Sequence, residues 1–284
     1  IGDRPIAAHH LYPTIPTSTE ATQEIRLAIA RHATRLIGGL SVLILLITYC
    51  GHRTQVLRRP ETYIILGLVA LAMVLRLQYV NDVLQQTPHP YLLPQGSDQQ
   101  AYVANALDFA RGLWPPARDF YRQPGYTWLL GNMHLVFGPT LHTIQLLQIT
   151  SGALATAAVF LVSRRLFSIA TAIVAGILWA TFPLAIFYDA QFLTHALEGH
   201  LVMWVSLLWI HTLIAMRYGQ APLLHGALLG LVLGVGAVLR PPILVLIPIV
   251  LVSVVFCENS NRAARIKSAA ILALVAIIPI APVT

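Results

Sequence analysis

The chain has 284 residues, 57% of them hydrophobic and 10% charged, with a net charge of +7 and a mean hydropathy of +0.71. A soluble domain carries about 25% charged residues, so this composition excludes one and defines an integral membrane protein. The positive charge does not mark a nucleic-acid binder, because most basic residues sit in short loops beside apolar segments, where they orient a protein in a bilayer.

Residues 1–24 are polar and rich in Pro and Thr, and are expected to be mobile. A polar segment, 1–35, thus precedes a transmembrane domain, 36–284, of about 7–8 helices, each crossing needing about 20 apolar residues. No signal-peptide layout is present. The chain begins at Ile1 and stops at Thr284 inside an apolar run, which reads as part of a longer protein. Leu36–Cys50 is apolar but short, and its crossing is left open. Thr62–Val80, Ile144–Val162, Ile169–Tyr188, Leu197–Met216, Pro222–Leu239 and Ile243–Cys257 are expected spans, and Ser268–Thr284 opens another. Cys50 and Cys257 each end an apolar segment and read as packed thiols, not as a disulfide or zinc framework.

Every second loop, starting with 51–61, is basic: Arg53, Arg58 and Arg59, then Arg164 and Arg165, then Arg217, then Arg262, Arg265 and Lys267. The opposite loops carry Asp82, Asp98, Asp108, Asp119 and Asp189. By the positive-inside rule loop 51–61 faces the cytoplasm and loop 81–143 faces out. If Leu36–Cys50 also spans, Arg26, Arg31 and Arg35 fall outside, against that rule.

Loop 81–143 is long but patterned. From Ser97, polar Gln99, Gln100, Asn105, Asp108 and Arg111 interleave with Tyr102, Ala106, Phe109 and Leu113 at helical spacing. The spacing predicts an amphipathic helix lying on the outer membrane surface. Ser97 or Asp98 caps its start, and Gly112 with Pro115–Pro116 ends it. A second short helix is predicted after Pro124, with Tyr126 and Trp128 at headgroup depth. Gly226, Gly230, Gly234 and Gly236 have the spacing of close helix packing.

Two such helices over a bundle create a cleft where lipid meets water. Asp98 stands at the start of the first, Arg122 just before the second, and Arg240 at the outer end of a crossing, backed by Pro241–Pro242. A general base must reach its proton, and arginines pair with phosphate oxygens in a bidentate manner. Arg122 and Arg240 are therefore donor-phosphate candidates, and headgroup snorkelling is the plainer reading of each. Arg76 either snorkels outward or lines the cleft. Asp108 and Arg111 read as a surface pair. Trp114 and Trp128 could stack on a sugar; Trp179, Trp204 and Trp209 read as packing.

The order Arg76, Asp98, Tyr102, "YRQPGY" (Tyr121–Tyr126) and several crossings resembles the GT-C class of membrane glycosyltransferases, near the protein O-mannosyltransferases and the lipid A aminoarabinose transferases. The resemblance covers roughly residues 62–250. It implies an all-α polytopic bundle with interfacial helices in the first outer loop. It implies transfer of a hexosyl or pentosyl group, with inversion, from a polyprenyl-phosphate sugar to a lipid, glycan or protein acceptor. The site would face the periplasm from a bacterial inner membrane, with Asp98 as general base and Tyr102, Tyr121, Tyr126 and His195 lining the cleft. The second acid implied is Asp189, or Glu198 where relatives carry Thr-Glu and this chain carries Thr194–His195. The plainer reading of His195 and Glu198 is a hydrogen-bonded pair. No cofactor is required. A divalent metal on Asp189, His195, Glu198 and His200 would demand that residues about 140° apart on a helix converge. A secondary transporter or lipid flippase is the alternative function, and a scaffold subunit the third.

Overall fold

The structure, a computed structural model, describes residues 59–86, 93–113, 124–138, 141–218, 222–257 and 261–281. Leu36–Cys50, the polar N-terminus, Trp114, Pro115–Pro116, Asp119, Tyr121 and Arg122 lie outside them. Among the described residues every regular element is helical: α1 (Arg59–Gln86), α2 (Asp98–Ala110), α3 (Pro124–Phe137), α4 (Leu141–Leu166), α5 (Ile169–Ala180), α6 (Pro183–Asp189), α7 (Thr194–Arg217), α8 (Pro222–Leu239), a 3₁₀ turn (Pro241–Val245), α9 (Leu246–Val255) and α10 (Arg262–Ile280). Among the described residues four helices, Pro60–Gln86, Leu141–Leu166, Thr194–Arg217 and Arg262–Ile280, are long and apolar enough to cross a membrane.

The expected span Ile169–Tyr188 is broken. Pro183 lacks a backbone donor and forces Phe182 into an extended conformation, so α5 stops and α6 leaves at 50°. The bent pair carries Asp189 back into the bundle. Pro241 acts the same way on Arg240, which leaves α8 with extended φ and ψ of −153° and 110°. The following segment starts as a 3₁₀ turn and turns α-helical only at Leu246.

Around α4 pack α1, α5 and α7, while α8 lies between α7 and α10. Gly226, Gly230 and Gly234 face Ser268, Leu272 and Ala276 on α10, each four residues from the next. A Cβ at Gly226 would stand 2.9 Å from Ser268 O, and Gly230 and Gly234 meet the carbonyls of Leu272 and Ala276 more closely still. The small-residue stripe lets the two backbones touch, as expected. Gly236 is different: it leaves room for Leu201 and Ile243. The tryptophans at 179 and 209 serve packing, Trp179 beside Phe182 and Trp209 donating to Ser253 Oγ at 2.6 Å. Cys257 is buried.

Two helices, α2 and α3, form in loop 81–143 where the spacing predicts them. Ser97 Oγ accepts the Gln100 N–H and caps α2, so the cap is Ser97 and Asp98 is the first helical residue. At the other end Leu113 N–H bonds Asp108 O and Gly112 N–H bonds Phe109 O, with Gly112 at φ +75°. This is the Schellman arrangement, whose left-handed position glycine occupies without a Cβ clash. Tyr102, Val103, Ala106 and Leu107 form the buried face of α2 and pack on α3. Asp108 and Arg111 pair loosely at 4.0 Å, half-exposed.

Candidate functional site

Between α6 and α7 runs a short ribbon, residues 190–193, and the site is assembled around it. Its inner anchor is Asp189. One carboxylate oxygen accepts Arg76 Nε at 2.6 Å and the other accepts His200 Nε2 at 2.8 Å. A carboxylate has no proton to give, so His200 carries its proton on Nε2; its Nδ1 lies 3.1 Å from Ser151 Oγ. Arg76 also donates from Nη1 to Ala72 O and Ala180 O. Arg76 is 0% exposed and Asp189 1%, close enough to Gly152 that a Cβ there would collide with both.

Two expectations change here. Arg76 neither snorkels nor borders an open cleft: a guanidinium this deep is tolerated because a carboxylate and two carbonyls face it. Asp189, the expected second acid, is buried, with both its oxygens engaged by Arg76 and His200. The break at Pro183 is the cause, because it turns α6 inward.

Glutamines continue the network outward. Gln145 Nε2 donates to Ala190 O at 2.9 Å, and Gln148 Nε2 donates to Gln191 O at 2.6 Å. Gln148 Oε1 accepts the Tyr126 hydroxyl at 2.6 Å. Burial pushes the Tyr126 phenol well above its ordinary pKa, with Tyr102 adding to the shift, so the group stays a neutral donor. Tyr102 and Tyr126 meet edge to face at 5.0 Å, both buried. They hold α2 to α3 from inside instead of lining an open cleft.

At the outer end of the ribbon, Arg240 reaches α7. Its Nη1 donates to Thr194 Oγ1 at 3.0 Å and its Nη2 lies 3.1 Å from His195 Nε2. Arginine only donates, so this His195 nitrogen is the unprotonated acceptor. Arg240 Nε stands 3.0 Å from Glu198 Oε2 but off the N–H direction, which leaves a coulombic contact. Both side chains keep about a quarter of their surface, 24% and 25%. Exposed His195 stacks on Tyr188, ring centroids 5.5 Å apart. The predicted His195–Glu198 pairing is thus mediated by Arg240.

Asp98 is exposed at the start of α2. Its neighbour Gln99 ties this turn to the ribbon: Nε2 donates to Gln191 Oε1 at 2.8 Å, and Oε1 accepts the Phe192 N–H at 3.1 Å. The start of α3 closes the group from another side, where a Cβ on Gly125 would stand 2.7 Å from Val238 O. That contact explains the glycine of "YRQPGY": α3 crosses the end of α8 backbone to backbone, two residues before Arg240. Trp128 is half-buried on α3.

The metal set suggested by residue type divides in two, with Asp189 and His200 inside and Glu198 and His195 at the rim. Among the described residues no three His, Cys, Asp or Glu side chains gather to hold an ion. The residues missed from sequence are the glutamines at 99, 145, 148 and 191 and Ser151. Their one signal was Gln145 and Gln148, three apart, at the head of an apolar run.

Fold and site together define an all-α polytopic membrane protein with a charged, half-open group at one end of its helix bundle. The chain belongs to the dolichyl-phosphate-mannose-protein mannosyltransferase family, whose pattern matches residues 121–284. It is therefore a GT-C-type membrane glycosyltransferase working with lipid-linked sugar. Asp98 precedes the matched region, whereas Asp189, His195, Glu198 and Arg240 fall inside it. No curated protein and no solved structure gives a significant match.

Proposed function

We propose that this protein transfers a sugar from a polyprenyl-phosphate donor to an acceptor on the outer face of the membrane, inverting the anomeric centre, with Asp98 as general base. Asp98 removes the proton from an acceptor hydroxyl or amine as that atom bonds to the anomeric carbon. The bond to the lipid phosphate breaks, and the polyprenyl phosphate departs with the electron pair. Arg240 meets the charge that gathers on the phosphate oxygens. Arg122, two residues ahead of α3, is a second phosphate ligand in this reading. Glu198 and His195 form the polar rim beside Arg240.

One observation supports this reading above the others: Gln99, next to Asp98, grips the ribbon at Gln191 and Phe192, and Arg240 grips Thr194, the first residue of α7, directly after it. A carboxylate and a guanidinium are thereby referred to one short segment, and base-assisted displacement of a phosphate leaving group from the sugar needs that pairing. The family supplies the first donor to try, dolichyl-phosphate mannose, and the first acceptor class, a hydroxyl on a protein.

The test is a transfer assay on the purified chain in lipid nanodiscs with dolichyl-phosphate mannose and a panel of other polyprenyl-phosphate sugars, using peptide, lipid and glycan acceptors. A glycosylated product of opposite anomeric configuration to the donor is expected. A product of retained configuration contradicts the single-displacement mechanism.

A further inference from the structure

We infer that Gln99 and Gln191 are positioning residues that set the aim of Asp98; this rests on the reading of Asp98 as the base. Asp98 is the first residue of α2, and helix ends fray. A base there is useful only if its turn is held. Ser97 caps that turn, and Gln100 Oε1 accepts the Gly96 N–H at 2.8 Å, but both contacts are local and hold α2 only to itself. Gln99 is different. It uses both ends of its amide on one place in the ribbon, 92 and 93 residues away in sequence. A two-point amide contact resists rotation as well as translation, so it fixes the azimuth of the first turn about the helix axis.

The ribbon can serve as the reference because it is itself held at several points. Gln191 O is held by Gln148, and Phe192, 3% exposed, is sunk among Tyr102, Val103, Ala106 and Leu107 of α2 and Leu130 of α3. One residue further back, Asp189 is locked between Arg76 and His200. The chain of reference runs from three membrane helices through the ribbon to the turn that carries Asp98. Arg240 holds Thr194, the first residue of α7 directly after the ribbon, so the clamp also sets the base relative to the guanidinium.

The test compares Gln99→Leu, Gln99→Glu, Gln191→Ala and the Gln99→Leu/Gln191→Ala pair with the wild-type chain in nanodiscs. Amide hydrogen exchange needs no substrate: Gln99→Leu is expected to speed exchange at Phe192 and through 99–101 by about tenfold or more, with the global unfolding temperature unchanged. In the transfer assay with dolichyl-phosphate mannose, or whichever panel donor the wild type uses, kcat is expected to fall by about 10- to 100-fold at an unchanged donor KM, the scale of a misplacement near 1 Å. Gln99→Glu keeps an acceptor for the Phe192 N–H, and the Gln191 amide can turn its nitrogen toward it, so this variant is expected to retain most activity. The double variant is expected to be no slower than the worse single one. Unchanged exchange at Phe192, or an unchanged kcat in Gln99→Leu, overturns the inference. If Asp98→Asn is inactive while Gln99→Leu is fully active, only the positioning role fails; if Asp98→Asn is itself active, the reading beneath it fails.

Discussion

Arg76 Nε and Asp189 Oδ2 meet at 2.6 Å with essentially no solvent on either side, across 113 residues of sequence. Each charge is tolerated chiefly because of the other, with Ala72 O and Ala180 O facing Arg76 and His200 facing Asp189. Removing one partner of a buried pair leaves the second uncompensated, at a cost of about 3–5 kcal/mol. Arg76→Leu is therefore expected to lower the unfolding temperature in detergent sharply. Adding Asp189→Leu should recover part of the loss, because the stranded carboxylate goes with it. Purely additive losses would show that the pair is not coupled.

Gly152 permits that pair. A Cβ at this position enters the space of Asp189 Oδ2 and stands 2.8 Å from Arg76 Nε. Gly152→Ala is expected to destabilise by more than the gain of about 1 kcal/mol that alanine brings to a helix interior. Gly131→Ala is the control. Its Cβ meets the Phe109 side chain, most closely the ring edge, with the Phe109 Cβ at 3.0 Å, and no charged group. Thermal unfolding of both variants decides the matter, and equal effects would argue against a strained Asp189 node.

On the far side of the bundle, Gly230 lies against the backbone of Leu272. Gly230→Val inserts three carbons where none fit, and overpacking of this kind costs about 1–3 kcal/mol. The expected loss is in stability, seen as faster proteolysis of the α8–α10 half, with residual activity per folded molecule unchanged.

At the rim, Glu198 faces the guanidinium that the proposal gives to the phosphate. Hydrogen bonds to charged groups are worth about 1.5–3 kcal/mol, or roughly ten- to a hundredfold in affinity. Arg240→Ala is expected to raise the donor KM by that factor, and Arg240→Lys to recover only part, since lysine lacks the bidentate fork. Glu198→Gln removes a competitor for Arg240, so inhibition by free dolichyl phosphate should become stronger. Weaker inhibition in Glu198→Gln would mean that the carboxylate orients Arg240 instead of competing for it.

Much of this was legible in the residues, and the limit has a physical form. Local signals gave local structure: Ser97 caps, Gly112 ends a helix, and the glycines of α8 pack. Pro183 stands inside the expected span Ile169–Tyr188, and a window of apolar residues does not register the break it makes. Long-range pairing left no local trace. Nothing within a turn of Arg76 announces Asp189, and nothing near Gln99 announces Gln191 and Phe192. Tyr102 and Tyr126 show the same limit from the other side. Their type and interfacial position suggested a cleft wall, but burial depends on what packs above them.

The most direct test of the central claim is the transfer rate of Asp98→Asn beside that of the wild type, in nanodiscs with saturating donor. Loss of a positioned general base costs about 10²- to 10⁴-fold in kcat, and asparagine keeps the size and the helix-start position of the side chain. A drop of that order is expected, with unchanged unfolding temperature and unchanged donor affinity. Turnover within a few-fold of wild type would contradict the assignment of Asp98 as the base.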